Sequence, residues 1–286
     1  WGLIGLFVAI MQGMGASNGL IGLLRMISAL IFMFFTILIT CKSFKPFKIS
    51  KKALLITAIM GLFAQGIQNL CYAVAVNIAG VATSAILLYT APVFVCIMSA
   101  IFFKESITHV KILALLLNIS GCALVVTNGN FSVLSFAVIG VIMGILSGFL
   151  YSLVTICGKL ATNDTLPLVT IFYSFLFATI FLTFYSKPWN YTSEVLTLPI
   201  LLIGTIYGIC CSGIPYIFYM NALSKPINMS IVPVLASSEV IVAAITGVLF
   251  FSESIGIWKI SGIGLVFLSI AVMNSSFSLK KQHSPN

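Results

Sequence analysis

Charge is what this chain has least of. Only 7% of its 286 residues are Asp, Glu, Lys or Arg, and five of them are acidic, whereas a soluble domain carries roughly 25% charged residues. So little charge cannot cover a water-facing surface, which excludes an ordinary soluble enzyme, a disordered tail and a nucleic-acid-binding module. Histidine occurs twice, and the seven cysteines form no CxxC pair. The cysteines read as small buried hydrophobes. With no His/Cys cluster to hold zinc or haem, no metal and no cofactor are expected. HExxH, GxSxG and P-loop patterns are also missing, and five acids leave hardly any acid–base pair, so an enzyme is not expected.

Apolar residues are abundant instead, at 60%, with a mean hydropathy of +1.20. A helix needs about 20 predominantly apolar residues to cross hydrocarbon. Nine such runs lie between charged, Pro and Asn/Gly breaks, at 20–41, 53–76, 79–101, 108–127, 133–157, 166–186, 197–221, 228–251 and 255–275. Residues 1–16 form a shorter apolar stub, read as the second half of a first span that begins before Trp1; that makes ten. Lys and Arg in short loops favour the cytoplasmic side. With ten spans and both termini in the cytoplasm, eleven of the fourteen basic residues fall on that side, namely Lys42, Lys45, Lys48, Lys51, Lys52, Lys104, Lys111, Lys159, Lys225, Lys280 and Lys281. One span more or fewer in the middle inverts every later loop and destroys the asymmetry. Charge placement thus supports the count independently.

The chain also repeats itself. Residues 102–112 (FFKESITHVKI) match residues 250–260 (FFSESIGIWKI) at seven of eleven positions, with an offset of 148. The same offset carries Arg25 onto Tyr173 and Thr90-Ala91-Pro92 onto Ser238-Glu239-Val240. Five spans per copy is an odd number, so the copies must cross the membrane in opposite senses, as inverted repeats do in secondary transporters.

Trp1-Gly2 in the first span, Arg25 early in the second, Pro92 in the fourth and the FFxES turns at Glu105 and Glu253 resemble the EamA family of the drug/metabolite transporter superfamily. The resemblance covers nearly the whole chain: residues 1–127 as the first five-helix repeat, 133–275 as the second and 276–286 as a cytoplasmic tail. It implies an all-α integral membrane protein of ten helices, with a central cavity lined by the first, third, fourth, sixth, eighth and ninth. The family has Pro after the ninth-helix Glu, where this chain has Val240, so a kink there is expected to be lost or moved to Pro233.

Lipid cannot hydrogen-bond a polar side chain, so polar stripes on apolar helices should face protein or a wet cavity. Helical spacing gives Gln65, Gln68, Asn69 and Tyr72 on the third span, Tyr89 with Ala85, Pro92 and Cys96 on the fourth, and Tyr151 and Thr155 with Gly144, Ser147 and Gly148 on the sixth. It gives Ser212, Tyr216 and Tyr219 with Thr205 on the eighth, and Gln12 with Trp1, Gly5 and Val8 on the first. Substrate contact and close helix packing are both open for the sixth-span stripe. The fifth and tenth spans, almost wholly apolar apart from Asn118, Ser261 and Ser269, read as scaffold or as a lipid-facing or dimer surface.

Two charges lie inside spans. Arg25 is either an interface anchor or a fixed positive charge for a substrate carboxylate, since a charge in hydrocarbon costs on the order of 3 kcal/mol. Glu239 is a candidate for proton coupling. Its helical face carries Ala236, Ala243 and Thr246, and the opposite face, with Ser230, Pro233 and Ser237, is an equally good cavity wall. Glu105 and Glu253 read as fasteners near helix starts, each followed by a capping Ser.

The resulting expectation is a secondary transporter of small metabolites in the cytoplasmic membrane, working by alternating access as a monomer or homodimer. Amino acids or related zwitterionic or neutral compounds are the expected substrates, and the resemblance favours export. Lipophilic-cation efflux, a passive channel and a scramblase are the alternatives. The bilayer and a small-molecule substrate are the expected partners, and no nucleic acid is among them.

Overall fold

The computed structural model describes residues 1–191, 196–252 and 254–282, with side chains as far as Ser275. Every regular element among them is helical. In chain order they are α1 (Ile4–Gly13), α2 (Asn18–Cys41), α3 (Lys51–Ile59), a π segment (Met60–Ile67), α4 (Gln68–Leu88), α5 (Ala91–Phe103), α6 (His109–Thr127) and α7 (Val138–Thr162). There follow α8 (Pro167–Ser186), α9 (Leu198–Gly208), a second π segment (Ile209–Gly213), α10 (Ile214–Leu223), α11 (Ile231–Ala236), α12 (Glu239–Phe251) and α13 (Ile257–Gln282). Eight stretches are long and apolar enough to cross a membrane, and two shorter apolar helices, Ile4–Gly13 and Ala91–Phe103, accompany them. Side chains such as Ile39, Phe184 and Phe218 stand 69–74% exposed, an arrangement suited to acyl chains and costly in water. The protein is a multi-pass membrane protein.

The third and fourth expected spans meet in one continuous stretch, Lys51–Leu88. Gly80 breaks it, at φ 82° and ψ 164°; this backbone region is essentially reserved for a residue without Cβ. At the other end α13 runs on to Gln282, through residues expected to form a tail. The rest of that tail, and Glu253, lie outside the described residues.

The 148-residue offset reappears in the helix boundaries. α5 begins at Ala91 and α12 at Glu239; they end at Phe103 and Phe251, each closed by a left-handed residue, Lys104 or Ser252. α6 and α13 start at His109 and Ile257. The breaks recur as well: regular helix is interrupted at 89–90 before α5 and at 237–238 before α12. The kink expected to be lost or moved to Pro233 is therefore kept in register. Backbone bonds from Val240 N to Ser237 O and from Ile241 N to Ser238 O tighten the turn there, so a 3₁₀ turn does what a proline was expected to do.

Contacts divide the chain into two compact units, neither of which is a sequence half. Unit 1 is Trp1–Asn69 with Cys157–Lys225, and unit 2 is Leu70–Ile156 with Pro226–Asn286. In unit 1, α2 packs along α8, the first π segment lies on α8, and α9 lies on α2. A core of Met11, Leu20, Ile21, Ile200, Tyr207 and Cys211 joins α1, α2 and α9.

In unit 2 the principal pair is α6 with α13. Gly121 and Gly262 face each other so closely that a Cβ on either would lie 2.7–2.8 Å from the other's carbonyl oxygen, and the Ser269 hydroxyl donates to Ala114 O at 2.8 Å. Rising numbers on α6 meet falling numbers on α13, so the pair is antiparallel. The 148 offset carries 114 to 262 and 121 to 269, which makes these two contacts images of one another. The fifth and tenth spans are thus buried against each other along this seam. Asn118 accepts a 3.2 Å bond from the Ser237 hydroxyl.

Candidate functional site

Interruptions of regular helix decide which polar groups are available. In unit 2 the break before α5 sets Tyr89 and Thr90 in a turn, their N–H groups bonded to Ala85 O and Leu87 O, with the Thr90 hydroxyl donating to Leu87 O at 2.6 Å. The break before α12 leaves Ser237 and Ser238 and makes Glu239 the first residue of a half-helix, where the dipole favours a carboxylate. Glu239 is half-buried and forms no ion pair among the described residues. Tyr72 on α4, Tyr89 and Cys122 on α6 lie within its electrostatic range. Tyr89 itself packs against the cluster of Cys122, Val125, Val240, Ala244 and Val266. A carboxylate, two phenols and the polar groups of two helix breaks are therefore gathered within one unit.

The other face of α11 is not a cavity wall. Ser230, Pro233 and Ser237 are buried. Ser237 is bonded to Asn118 and to Pro233 O, while Ser230 is held by Glu105. The Glu105 carboxylate, its side chain 10% exposed, accepts from Met229 N–H, from the Ser230 hydroxyl at 2.8 Å and from Lys111 Nζ at 3.1 Å. Burial opposes its ionisation, but these donors and the Lys111 charge prevail and hold the carboxyl below its ordinary range. Glu105 is a fastener, as expected: it ties the loop to the first turn of α6 through Lys111, and it also joins that loop to the start of α11. Thr108, not Ser106, caps α6.

The sixth-span stripe is resolved in favour of packing for its glycines. A Cβ on Gly144 would meet Leu87 at 2.5 Å, and one on Gly148 the Leu87 carbonyl at 2.8 Å. Ser147 is buried and bonds Gly144 O; Thr155 is buried and Tyr151 half-buried.

Unit 1 holds the remaining candidates. Gln65, 3% exposed, lies in the π segment with its Nε2 unbonded among the described residues. Gln68 is buried, and Asn69 turns its amide back to Gln65 O. Ser212 and Tyr216 are buried and Tyr219 half-buried, whereas Thr205 is exposed and bonded to Leu201 O. The π segment at 209–213 turns less per residue than an α-helix, so a 3.6-residue count wrongly aligns 205 with 212. Trp1 stands edge-on to Tyr216 and Tyr219, at 5.2 and 5.3 Å between ring centroids. Gln12 is not with them; it is exposed at the end of α1 and donates to Asn18 Oδ1 at 2.7 Å. Arg25 donates to the Tyr207 hydroxyl at 3.3 Å, with its guanidinium 5.6 Å from that ring's centroid. Phe7 stacks on the same ring at 5.4 Å. Tyr207 and Phe7, on no predicted stripe, are the two members of this group that spacing missed.

The model of the EamA-like transporter family matches the chain twice, over residues 1–127 and 138–275. The chain belongs to this family. Like other proteins that this EamA chain resembles, an uncharacterized transporter of Archaeoglobus fulgidus is 26% identical over 201 residues, 70% of each sequence. A solved crystal structure with 16% identity superposes with a TM-score of 0.77 over 97% of this chain and 94% of its own, a likeness of fold. Family and relative together make the protein a membrane transporter.

Proposed function

We propose that the protein is a secondary carrier that moves small zwitterionic or neutral metabolites, amino acids being the plainest case, out of the cytoplasm by alternating access. The observation that carries this reading is the pair of helix breaks in register, at 89–90 and 237–238, with Glu239 on the second. Carriers place substrate and coupling-ion sites at interrupted helices, where half-helix ends can meet a ligand. Tyr72, Tyr89 and Thr90 contact substrate in this reading, and Glu239 takes up and releases a proton. The mirrored seam of α6 and α13 supports two inverted five-span repeats.

Ten passes with cytoplasmic termini are supported by which loops touch. Ser17 bonds Tyr191, Ser135 N–H bonds Thr83, and Asn128 bonds Ser254; all six lie in loops or helix ends that the ten-pass scheme assigns to the outer side. Lys159 bonds the carbonyls of Leu223 and Lys225, Lys52 pairs with Asp164, and Glu105 holds Met229 and Ser230; these belong to its cytoplasmic side. A missing pass would force such contacts across the bilayer. Cysteines introduced as Ser17→Cys and Asp164→Cys in a cysteine-free background should react with impermeant maleimide from opposite faces, and labelling from one face would refute the scheme.

Saturable counterflow of a labelled amino acid in proteoliposomes tests the carrier itself; linear, non-saturable flux would mean a channel or scramblase. A second reading, efflux of lipophilic cations, has one observation in its favour: Glu239, with no ion pair among the described residues, has Tyr72 and Tyr89 within its electrostatic range, and tyrosine rings attract cations. Inhibition of amino-acid counterflow by tetraphenylphosphonium, lost in Glu239→Gln, would favour it.

A further inference from the structure

Arg25 of unit 1 is a fixed cation inside a membrane-spanning helix, seven residues, or about 10 Å of helix rise, beyond the start of α2. Among the described residues no carboxylate pairs with it; the ion pairs are Lys52–Asp164 and Lys111–Glu105. Its electrostatic neighbours are Tyr207, Tyr216 and Cys211. A guanidinium offers five N–H donors. Here one makes a long 3.3 Å bond to Tyr207, and Nε is buried with no acceptor. An uncompensated guanidinium at this depth is costly, and an unmet buried donor adds to the cost. A ligand that carries its own negative charge removes both terms.

The surroundings specify more than charge. Tyr207 accepts from Arg25 and bonds nothing else among the described residues, so its hydroxyl proton remains available to an anion. Phe7 backs the Tyr207 ring, while Trp1, Tyr216 and Tyr219 supply ring edges and Phe175 closes on Tyr216 at 5.3 Å. Half-burial of Arg25, Trp1, Phe7 and Tyr219 leaves room for approach. A planar, charge-delocalised fork suits a carboxylate, and ring walls suit an apolar or aromatic body attached to it.

We infer that Arg25 and Tyr207 form a carboxylate-recognition site and that the protein selects organic anions or zwitterions with an apolar or aromatic body. The inference rests on the carrier reading for its physiological meaning but not for its test. Binding to the purified protein in neutral detergent is measured with four probes: 3-phenylpropionate, L-phenylalanine and the amide of each. Each acid should bind about 10- to 100-fold tighter than its amide, the difference a charge-assisted hydrogen-bond pair makes. Arg25→Gln should bring that ratio close to one and Arg25→Lys should keep part of it. Tyr207→Phe, which retains the ring, should lower it without abolishing it, and stands in should the Gln variant fail to fold. The ratio is the readout because a purely structural arginine would weaken acid and amide alike.

An unchanged ratio in the variants, or no acid preference in the wild type, overturns the inference. So does Arg25-dependent stabilisation by phosphatidylglycerol with none by either acid, since a lipid phosphate would then be the anion. Counterflow of neutral or cationic compounds with no acid preference leaves the carrier standing and this site refuted. Arg25-dependent acid binding without counterflow of any probe does the reverse.

Discussion

Replacing Glu105 with Gln isolates the contribution of one buried charge to a broken helix. The substitution preserves size and leaves one carbonyl oxygen for the Met229 N–H, but it turns an NH₂ group toward the Ser230 hydroxyl and the Lys111 ammonium. Lys111, whose side chain is 5% exposed, loses its counter-charge. It also sits in the first turn of α6, where the helix dipole already disfavours a cation. Removing one partner of a buried pair typically costs 3–5 kcal/mol, and the surviving bond places the expected loss near the lower end, about 3 kcal/mol. Lys111→Met should cost less, because the Glu105 carboxylate keeps Met229 and Ser230. The double variant should recover at least about 1 kcal/mol relative to the sum of the singles, as expected of contacting residues. Reversible unfolding in SDS–detergent mixtures measures all three. Additive single effects, or a Gln variant as stable as wild type, would refute a charged clamp and leave Glu105 a solvated loop residue.

Acid should reach the same clamp. Because the folded Glu105 carboxyl titrates below its ordinary value of 4.5, its contribution is present above that value and is lost as pH falls through the lower folded one; unfolding midpoints should drop below about pH 4.5 in wild type, and the drop should shrink in Glu105→Gln. Glu239→Gln should abolish the response of amino-acid flux to an imposed pH gradient while leaving counterflow intact, and unchanged gradient dependence would end the coupling assignment. Gly121→Ala inserts a methyl 2.8 Å from the Gly262 carbonyl, where backbone cannot yield cheaply, so a loss of about 1–3 kcal/mol is expected in the same unfolding assay; Gly264→Ala, with nothing within 4 Å of its Cβ, is the control.

Much of the architecture was legible because duplication marks boundaries twice. FFKESI and FFSESI mark the turns after α5 and α12, where the left-handed stops at Lys104 and Ser252 fall, although the expected fourth span stops at 101 and α5 runs on to Phe103. Units were not legible, since each interleaves both copies. Polar stripes were read less well, and for a definite reason. Counting by 3.6 assumes unbroken α-helix, and the third and eighth spans each contain a π segment. A 3.6-residue count therefore groups Thr205 with Ser212 and passes over Tyr207. Gln12 departs from its stripe on another ground: an amide near a helix end finds a loop partner, Asn18, as readily as a cavity. Glycines of the sixth span show that a small-residue face records the neighbour it must admit, here Leu87, and not a solute.

The seam of α6 and α13 ties the evolutionary fates of the two copies together. Because 114 meets 269 and 121 meets 262, each site in one copy is the mate of a site in the other, and at 121 and 262 the obstacle to a side chain is the partner's backbone, which no loss of volume can remove. Divergence after duplication is then blocked at both glycines together, so related chains that keep this seam should keep both.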